Sequence, residues 1–404
     1  MAAVDLSALL PDELWVRVFS FLDDAATLLD VVPLVCRRWR DLAGCPGSWA
    51  NVSVIRNVDW FKVPDPDLRV LLHAPGLRCL DLHCTGRTCG DGSNAGRWLE
   101  DHWLVSALRR SRAVVRQELR LSGYFWSNLP RSGRRAVAEM VGRSAPLLRR
   151  LHVTLSEEDR NEPEPLDCGE DMTDDEIFAL LDTLPDPAIP MVEAVLQVKR
   201  VEVLHLDTDI DDLNCDADGP FIYQRELSGI SLPKLRELVI KGKFGPVPTA
   251  LISDLLSAAA NTLEVVKIGK TIESWSADAN LDLPGVVAAL SRCTRVRELA
   301  ADRFCLPAMA SLPSLQDLQL HVQCNEKRVE SAGFFSECVA ACEALAALRR
   351  LRLVLDGLDI LEDDPDGRFV LRRCKKAFAG FSRRRPAVDA SWRVLSEWDD
   401  PWQY

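Results

Sequence analysis

Hydrophobic positions along this chain follow two rhythms, a helical one up to Trp49 and a strand-like one that repeats from Leu77 to Leu353. In the first, Leu10, Leu14, Val18 and Leu22 recur at fourfold spacing, and Phe19 widens the stripe into an amphipathic helix face. Pro11 suits a first helical turn, and Asp12 and Glu13 complement the positive end of the helix dipole. Asp23 or Asp24 can cap a second helix carrying Leu28, Leu29 and Val32. Pro33 opens a third with Val35, Cys36, Trp39 and Leu42, and Gly44 stops it. Three helices in about forty residues make a very small core, and such a domain usually needs a metal, a disulfide or a partner. A partner fits this pattern best.

The second rhythm begins with Leu77-x-x-Leu80-x-Leu82. It returns at Leu148/Leu151/Val153, Val201/Leu204/Leu206, Leu235/Leu238/Ile240 and Leu263/Val266/Ile268. Val296/Leu299/Ala301, Leu315/Leu318/Leu320 and Leu348/Leu351/Leu353 follow, with a weaker copy at Arg116/Leu119/Leu121. The last two apolar positions of each copy alternate, as in a short strand with one buried face. Helix-period segments lie between: a Thr173–Glu176 capping box before Ile177, and Leu251, Ile252, Leu255 and Leu256 after Thr249. Pro284 opens one with Val287 and Leu290; others hold Phe335, Val339 and Leu345, and Phe369, Val370 and Ala377. Strand and helix recurring at a loose period predict a solenoid whose repeats bury their neighbours' faces. The nineteen-residue step to Leu315 reads as a helix-free repeat, or as two copies that are one.

Residues Leu10-Pro11, Glu13-Leu14, Val18-Phe19-Ser20-Phe21-Leu22, Leu28-Leu29, Val35-Cys36-Arg37-Arg38-Trp39, Leu42 and Trp49 resemble the F-box family in order and spacing. That resemblance implies docking onto a Skp-type adaptor and, through it, onto a cullin of a Skp/cullin/F-box ubiquitin ligase. Leu10, Pro11, Leu14, Val18, Phe19, Leu22, Leu29, Val35, Cys36 and Trp39 would be the adaptor-binding residues, a helix face offered to a groove. The later repeats resemble, more loosely, the leucine-rich repeat. Where that family favours Asn or Cys, this chain has Thr85, Ser156, Asp209, Lys243, Thr271, Phe304, Gln323 and Asp356, so a buried asparagine ladder is absent.

The expected fold is therefore α/β. A three-helix F-box spans 1–50 and a junction 51–74, where Val52, Val54, Trp60 and Phe61 pack the F-box onto the repeats. An irregular leucine-rich-repeat-like solenoid of about eight to ten repeats spans 75–391, with an acidic insertion at 156–176. The aromatic tail 392–404, with Trp392, Trp398, Trp402 and Tyr404, is expected to cap the last apolar face or else to shape the substrate site.

Composition narrows the function. With 404 residues the chain exceeds one compact core. No apolar run is long enough for a membrane helix, and the N-terminus lacks the basic region of a secretory signal. Thirteen scattered cysteines are expected as reduced thiols in the cytosol or nucleus. A net charge of −12 argues against general nucleic-acid binding. Charge is nonetheless uneven: arginines crowd Arg97 to Arg150, and acid runs occupy Ser156–Glu176, Asp207–Asp218 and Asp356–Asp366. Such runs are usually solvated faces; a charge-selected partner is the alternative.

On the predicted concave face, the outward columns run from Asp81 to Arg352 and from His83 to Val354. Within them Arg120, His152, His205, Lys241, Lys267, His321 and Arg352 give a cationic bias, so the expected substrate is a protein segment, acidic or phosphorylated. No glycine loop, HExxH, nucleophile elbow or kinase set occurs. His73, Cys79, His83, Cys84 and Cys89 gather without a C-x-x-C pair, so no metal is expected; no cofactor or catalytic residue is expected either. The sequence reads as a non-catalytic substrate adaptor. Its rivals are a scaffold that ubiquitinates nothing, and an enzyme whose site is unrecognised.

Overall fold

A computed structural model describes residues 10–58, 66–84, 102–123, 125, 129–156, 194–195, 197–209, 231–242, 249–269, 283–323, 328–356 and 365–394. Trp60, Phe61, the acidic insertion, the capping box at Thr173 and Trp398 to Tyr404 lie outside them. The chain forms two compact units, Met1–Glu202 and Val203–Tyr404.

The first unit opens with helix α1, Asp12–Phe19, in which the Pro11 carbonyl accepts from the N–H groups of Leu14 and Trp15 at 3.1 and 3.2 Å. Asp24 caps the next segment: its carboxylate accepts from the Thr27 hydroxyl at 2.7 Å and from the Thr27 and Ala26 N–H groups at 2.9 and 3.1 Å. That segment starts as a π turn, Thr27–Val31, and continues as α2, Val32–Val35. Pro33 thus sits in the first turn of α2 and does not open the third helix. Proline lacks the N–H of an ordinary helical bond, and the wider turn just before it accommodates that loss. The break comes at Cys36, extended at φ −161° and ψ 169°, whose Sγ accepts from the Trp39 N–H at 3.5 Å to start α3, Arg37–Ala43.

The Asp24 carboxyl is held below its usual pKa, first by the Thr27 hydroxyl and then by the Thr27 backbone N–H. A carboxyl depressed in the folded state stabilises it above the unfolded pKa, and that stability fades as pH falls through the folded value. Asp24→Ala is expected to cost about 1 kcal/mol at neutral pH. Thermal melts of variant and wild type should then converge as acid protonates Asp24; a gap independent of pH would assign the loss to something other than the carboxylate.

Strand β1, Ser53–Asn57, follows this bundle almost at once. Trp49 is 1 % exposed; its indole N–H donates to the Ala43 carbonyl at 2.6 Å, and its own carbonyl accepts from the Val52 N–H. Val52 and Val54 are buried, as expected of the junction, and the Val52 carbonyl accepts from the Arg78 N–H at 2.8 Å. Bundle and sheet are therefore stitched by backbone as well as by packing. Arg69, in the turn Pro66–Arg69, adds an ion pair to Asp30 at 3.0 Å. Helix α4, Val70–His73, leads into β2, Gly76–Cys84; β3 is Val114–Gly123 and β4 is Arg150–Ser156. The four strands are parallel, with one register shift between β2 and β3 at Leu77 to Cys79, and Val54, Leu80, Leu119 and Leu151 share a row. Helices α5, Trp103–Arg110, and α6, Arg131–Ser144, lie side by side, and the buried Ser144 hydroxyl accepts from the Val115 N–H at 2.9 Å.

The second unit repeats the plan with β5 (Val203–Asp209), β6 (Glu237–Gly242), β7 (Val265–Ile268), β8 (Glu298–Asp302), β9 (Asp317–Gln323), β10 (Arg350–Asp356) and β11 (Asp389–Val394). All neighbours are parallel, and Leu204, Leu238, Val266, Leu299, Leu318, Leu351 and Ala390 share a row. Every apolar position of the recurring pattern, in both units, is at most 4 % exposed. The first apolar residue of a copy closes a tight turn: the N–H groups of Leu235, Val296, Leu315 and Leu348 bond carbonyls three residues back. One residue later the inter-strand ladder has begun, through Arg236, Glu264, Arg297, Gln316, Arg349 and Asp389. That is the physical content of the spacing.

Between the strands lie α7 (Thr249–Ala258), α8 (Leu283–Ser291), α9 (Leu306–Met309), α10 (Arg328–Glu343) and α11 (Pro365–Arg384). Leu251, Ile252, Leu255 and Leu256 of α7 are buried as expected. In α8 the buried face is Val286, Ala289 and Leu290; Val287 is turned part-way out. In α11 it is Cys374 and Phe381, while Phe369 is 49 % exposed. The short step before Leu315 contains a 3-10 turn, Arg303–Cys305, and then α9, so that repeat is shortened and still has its helix. Trp392 on β11 stands opposite Leu353, its ring edge-on to Phe335 at 6.4 Å.

Candidate functional site

Two surfaces concentrate the sequence-predicted site residues. On the N-terminal bundle, Leu10, Pro11, Leu14, Val18 and Val35 are exposed, while Leu22, Leu29, Cys36 and Trp39 are half-buried. Phe19 belongs elsewhere. It is 2 % exposed, with the Trp15 ring 5.9 Å away and the Trp39 ring edge-on at 5.1 Å, so it holds up the face from within. The face gains three residues the sequence reading did not assign to it: Phe21, Val31 and Leu34, at 73, 56 and 79 % exposure. Their signal was available in Val31, Leu34 and Val35, which stand at the i, i+3, i+4 spacing of one helix stripe.

Arg38 fixes the geometry of this face. Its guanidinium donates to Asp12 and to the Leu10 carbonyl, both at 2.7 Å, which ties α3 to the start of α1. Exposed aliphatic and aromatic side chains in such density are costly in water, and patches of this kind mark interaction sites. The buried Trp39 Nε1 has no hydrogen-bond partner among the described residues.

The second surface is the outward row of each sheet. In the first unit Ile55, Asp81, Arg120 and His152 are register neighbours. Arg120 lies 3.7 Å from both Asp81 and Glu118, and Arg150 lies 3.7 Å from Glu118. Burial pushes the Asp81 carboxyl up, against the pull of Arg120. In the second unit the row is His205, Val239, Lys267, Ala300, Gln319 and Arg352. His205 Nε2 is 3.0 Å from Glu237, Lys267 Nζ is 2.8 Å from Glu298, and Arg350 is 3.8 Å from Asp317. Each of these acids stands just before the outward row, so the cationic bias is offset by carboxylates on neighbouring strands.

Val239 and Ala300, short and only 3 and 4 % exposed, leave a depression of about 160 Å³ floored by apolar atoms and rimmed by both signs of charge, Lys241 and Arg352 among the cations. His321 does not reach this surface. It is 3 % exposed between Asp302 and Val354, and its Nε2 is 2.9 Å from the Gln319 side-chain amide. Val354, also predicted outward, is 1 % exposed.

Other chemistry is scarce. His73 is exposed on α4, Cys79 and His83 point to one face of β2 and the buried Cys84 to the other, and Cys89 lies outside the described residues. Among the described residues no group of three or more His, Cys, Asp or Glu is placed to hold a metal. Burial raises the Cys79 and Cys293 thiols to about 11 and Cys338 to about 12, so they stay protonated near neutral pH. No helix among the described residues is long and apolar enough to cross a membrane.

Comparison with known families places an F-box-like domain at residues 7–54, which encloses α1, α2, α3 and the start of β1. The chain thus carries an F-box-like domain, of a kind that typically serves as a non-catalytic, Skp-binding adaptor module. No curated protein matches the chain.

Proposed function

We infer that this protein is a substrate-recognition adaptor of a Skp/cullin/F-box ubiquitin ligase, itself without catalytic groups. The observation that carries the reading is the set of exposed apolar residues on α1, α2 and the segments beside them, inside the F-box-like match. Leu10, Pro11, Leu14, Val18, Leu22, Leu29 and Val35, joined by Phe21, Val31 and Leu34, would fill the adaptor's groove. Cys36 and Trp39 would lie at its margin and Phe19 beneath it. The recurring strand–helix units over 75–391 would be leucine-rich-repeat-like, and their outward rows would hold a protein substrate. Catalysis is then proximity, which raises the effective concentration of substrate lysines near a ubiquitin-loaded partner. Action would be in the cytosol or nucleus, where cysteines such as the buried Cys293, Cys338 and Cys374 would stay reduced.

The test is proximity labelling in cells with the intact protein and with Leu10→Ala/Pro11→Ala. Adaptor and cullin peptides should disappear from the variant while substrate peptides remain. Adaptor peptides retained by the variant would count against docking through this face; substrates that bind yet never accumulate on F-box deletion would point to a scaffold.

A further inference from the structure

Helix α11 has a face that the adaptor reading does not use. It runs 20 residues, about 30 Å at 1.5 Å per residue, and its one acid is Asp366 in the first turn. Arg368, Arg372, Arg373, Lys375, Lys376 and Arg383 are all exposed on it. Arg368, Arg372 and Lys376 follow at fourfold spacing and Arg383 continues the same face, a stripe of about 22 Å opposite the buried Cys374 and Phe381.

These cations differ from several others in the unit. His205, Lys267 and Arg350 each stand beside a carboxylate of a neighbouring strand. At the end of α11, Arg384 pairs with Glu343, and Arg385 donates to the Glu343 and Leu345 carbonyls at 2.7 and 2.8 Å, which locks α11 onto α10. None of these six exposed cations makes an ion pair among the described residues. Within the stripe Phe369 is 49 % exposed, and the Arg373 guanidinium lies 5.7 Å over its ring. An exposed aromatic held by a cation adds an apolar contact point to an otherwise electrostatic surface.

We propose that the outer face of α11 docks a short acidic segment of a partner protein, its carboxylates spaced along the arginine stripe and one apolar side chain seated on Phe369. Arginine predominates over lysine here, which favours planar, bidentate anions. The net charge of −12 chooses among anionic partners. A nucleic acid or an anionic bilayer presents extended negative charge and is repelled by the molecule as a whole, whereas a short segment experiences mainly the local field of α11. The inference does not depend on the ligase reading.

The experiment is fluorescence anisotropy of the full-length protein with a labelled helical peptide carrying Glu at i, i+4 positions around a central Leu. Single-stranded RNA and phosphatidylcholine–phosphatidylserine vesicles serve as competitors. Arg372→Glu/Lys376→Glu should weaken binding about tenfold or more, and Phe369→Ala by a few-fold. Arg109→Glu/Arg110→Glu, on the exposed end of α5, makes the same change in net charge and should leave binding within about twofold. Matching thermal melts establish that the exposed substitutions leave the fold intact. The proposal is overturned if wild type fails to bind the peptide, if both charge reversals weaken it alike, or if RNA or vesicles displace it at lower concentration.

Discussion

Leu14→Glu/Val18→Glu is expected to abolish capture of the Skp-type adaptor, an affinity loss of about a hundredfold or more, with the melting temperature almost unchanged. Both side chains are 45 % exposed on α1, so their replacement opens no cavity in the free protein. In the complex each would put an uncompensated carboxylate where an apolar contact stood. Losing one buried aliphatic side chain costs about 1.5–3 kcal/mol, and burying an unpaired charge adds to it. Titration of purified adaptor by calorimetry reads the loss. A variant that binds within tenfold of wild type would move the docking face off α1.

Trp49→Ala carries the largest expected effect on stability, about 3–5 kcal/mol. Trp49 is among the largest fully buried side chains, and its indole N–H bond to Ala43 disappears with it. For a unit of this size that loss lowers the melting temperature by about 10 °C. The drop should be seen in tryptophan fluorescence or circular dichroism; a stability loss below about 1 kcal/mol would mean that the bundle and β1 are held together elsewhere.

The parts of this fold legible in the sequence are those where one residue type is obligatory at one place. The inward positions of the strands are such places, and every copy from Leu77 to Leu353 proved buried. β1 and β11 fall outside the recurring pattern because their inward residues, Val54 and then Ala390 and Trp392, lack the preceding leucine turn. On the bundle, the stripe from Leu10 to Leu22 was legible, but a stripe that broad does not say which members turn inward. The Trp15, Phe19 and Trp39 cluster decides that, and its parts come from two helices. The charge of the outward rows was hardest to read. Lys267 looks unopposed along its own strand, and its partner Glu298 is supplied by the next strand, so only the register shows the pairing.

The register of the second unit has a dynamic consequence. From β5 to β11 each strand pairs only with its sequence neighbours, and the side ladder through Arg236, Glu264, Arg297, Gln316 and Arg349 passes from one rung to the next. Among the described residues no strand pairs with a distant one. Opening is therefore expected to advance by single rungs, so β11 can melt and re-form while β7 to β9 stay shut. A partner bound across several rungs would close that sequence like a zip held at its tab, and its residence time would depend on how many rungs it spans.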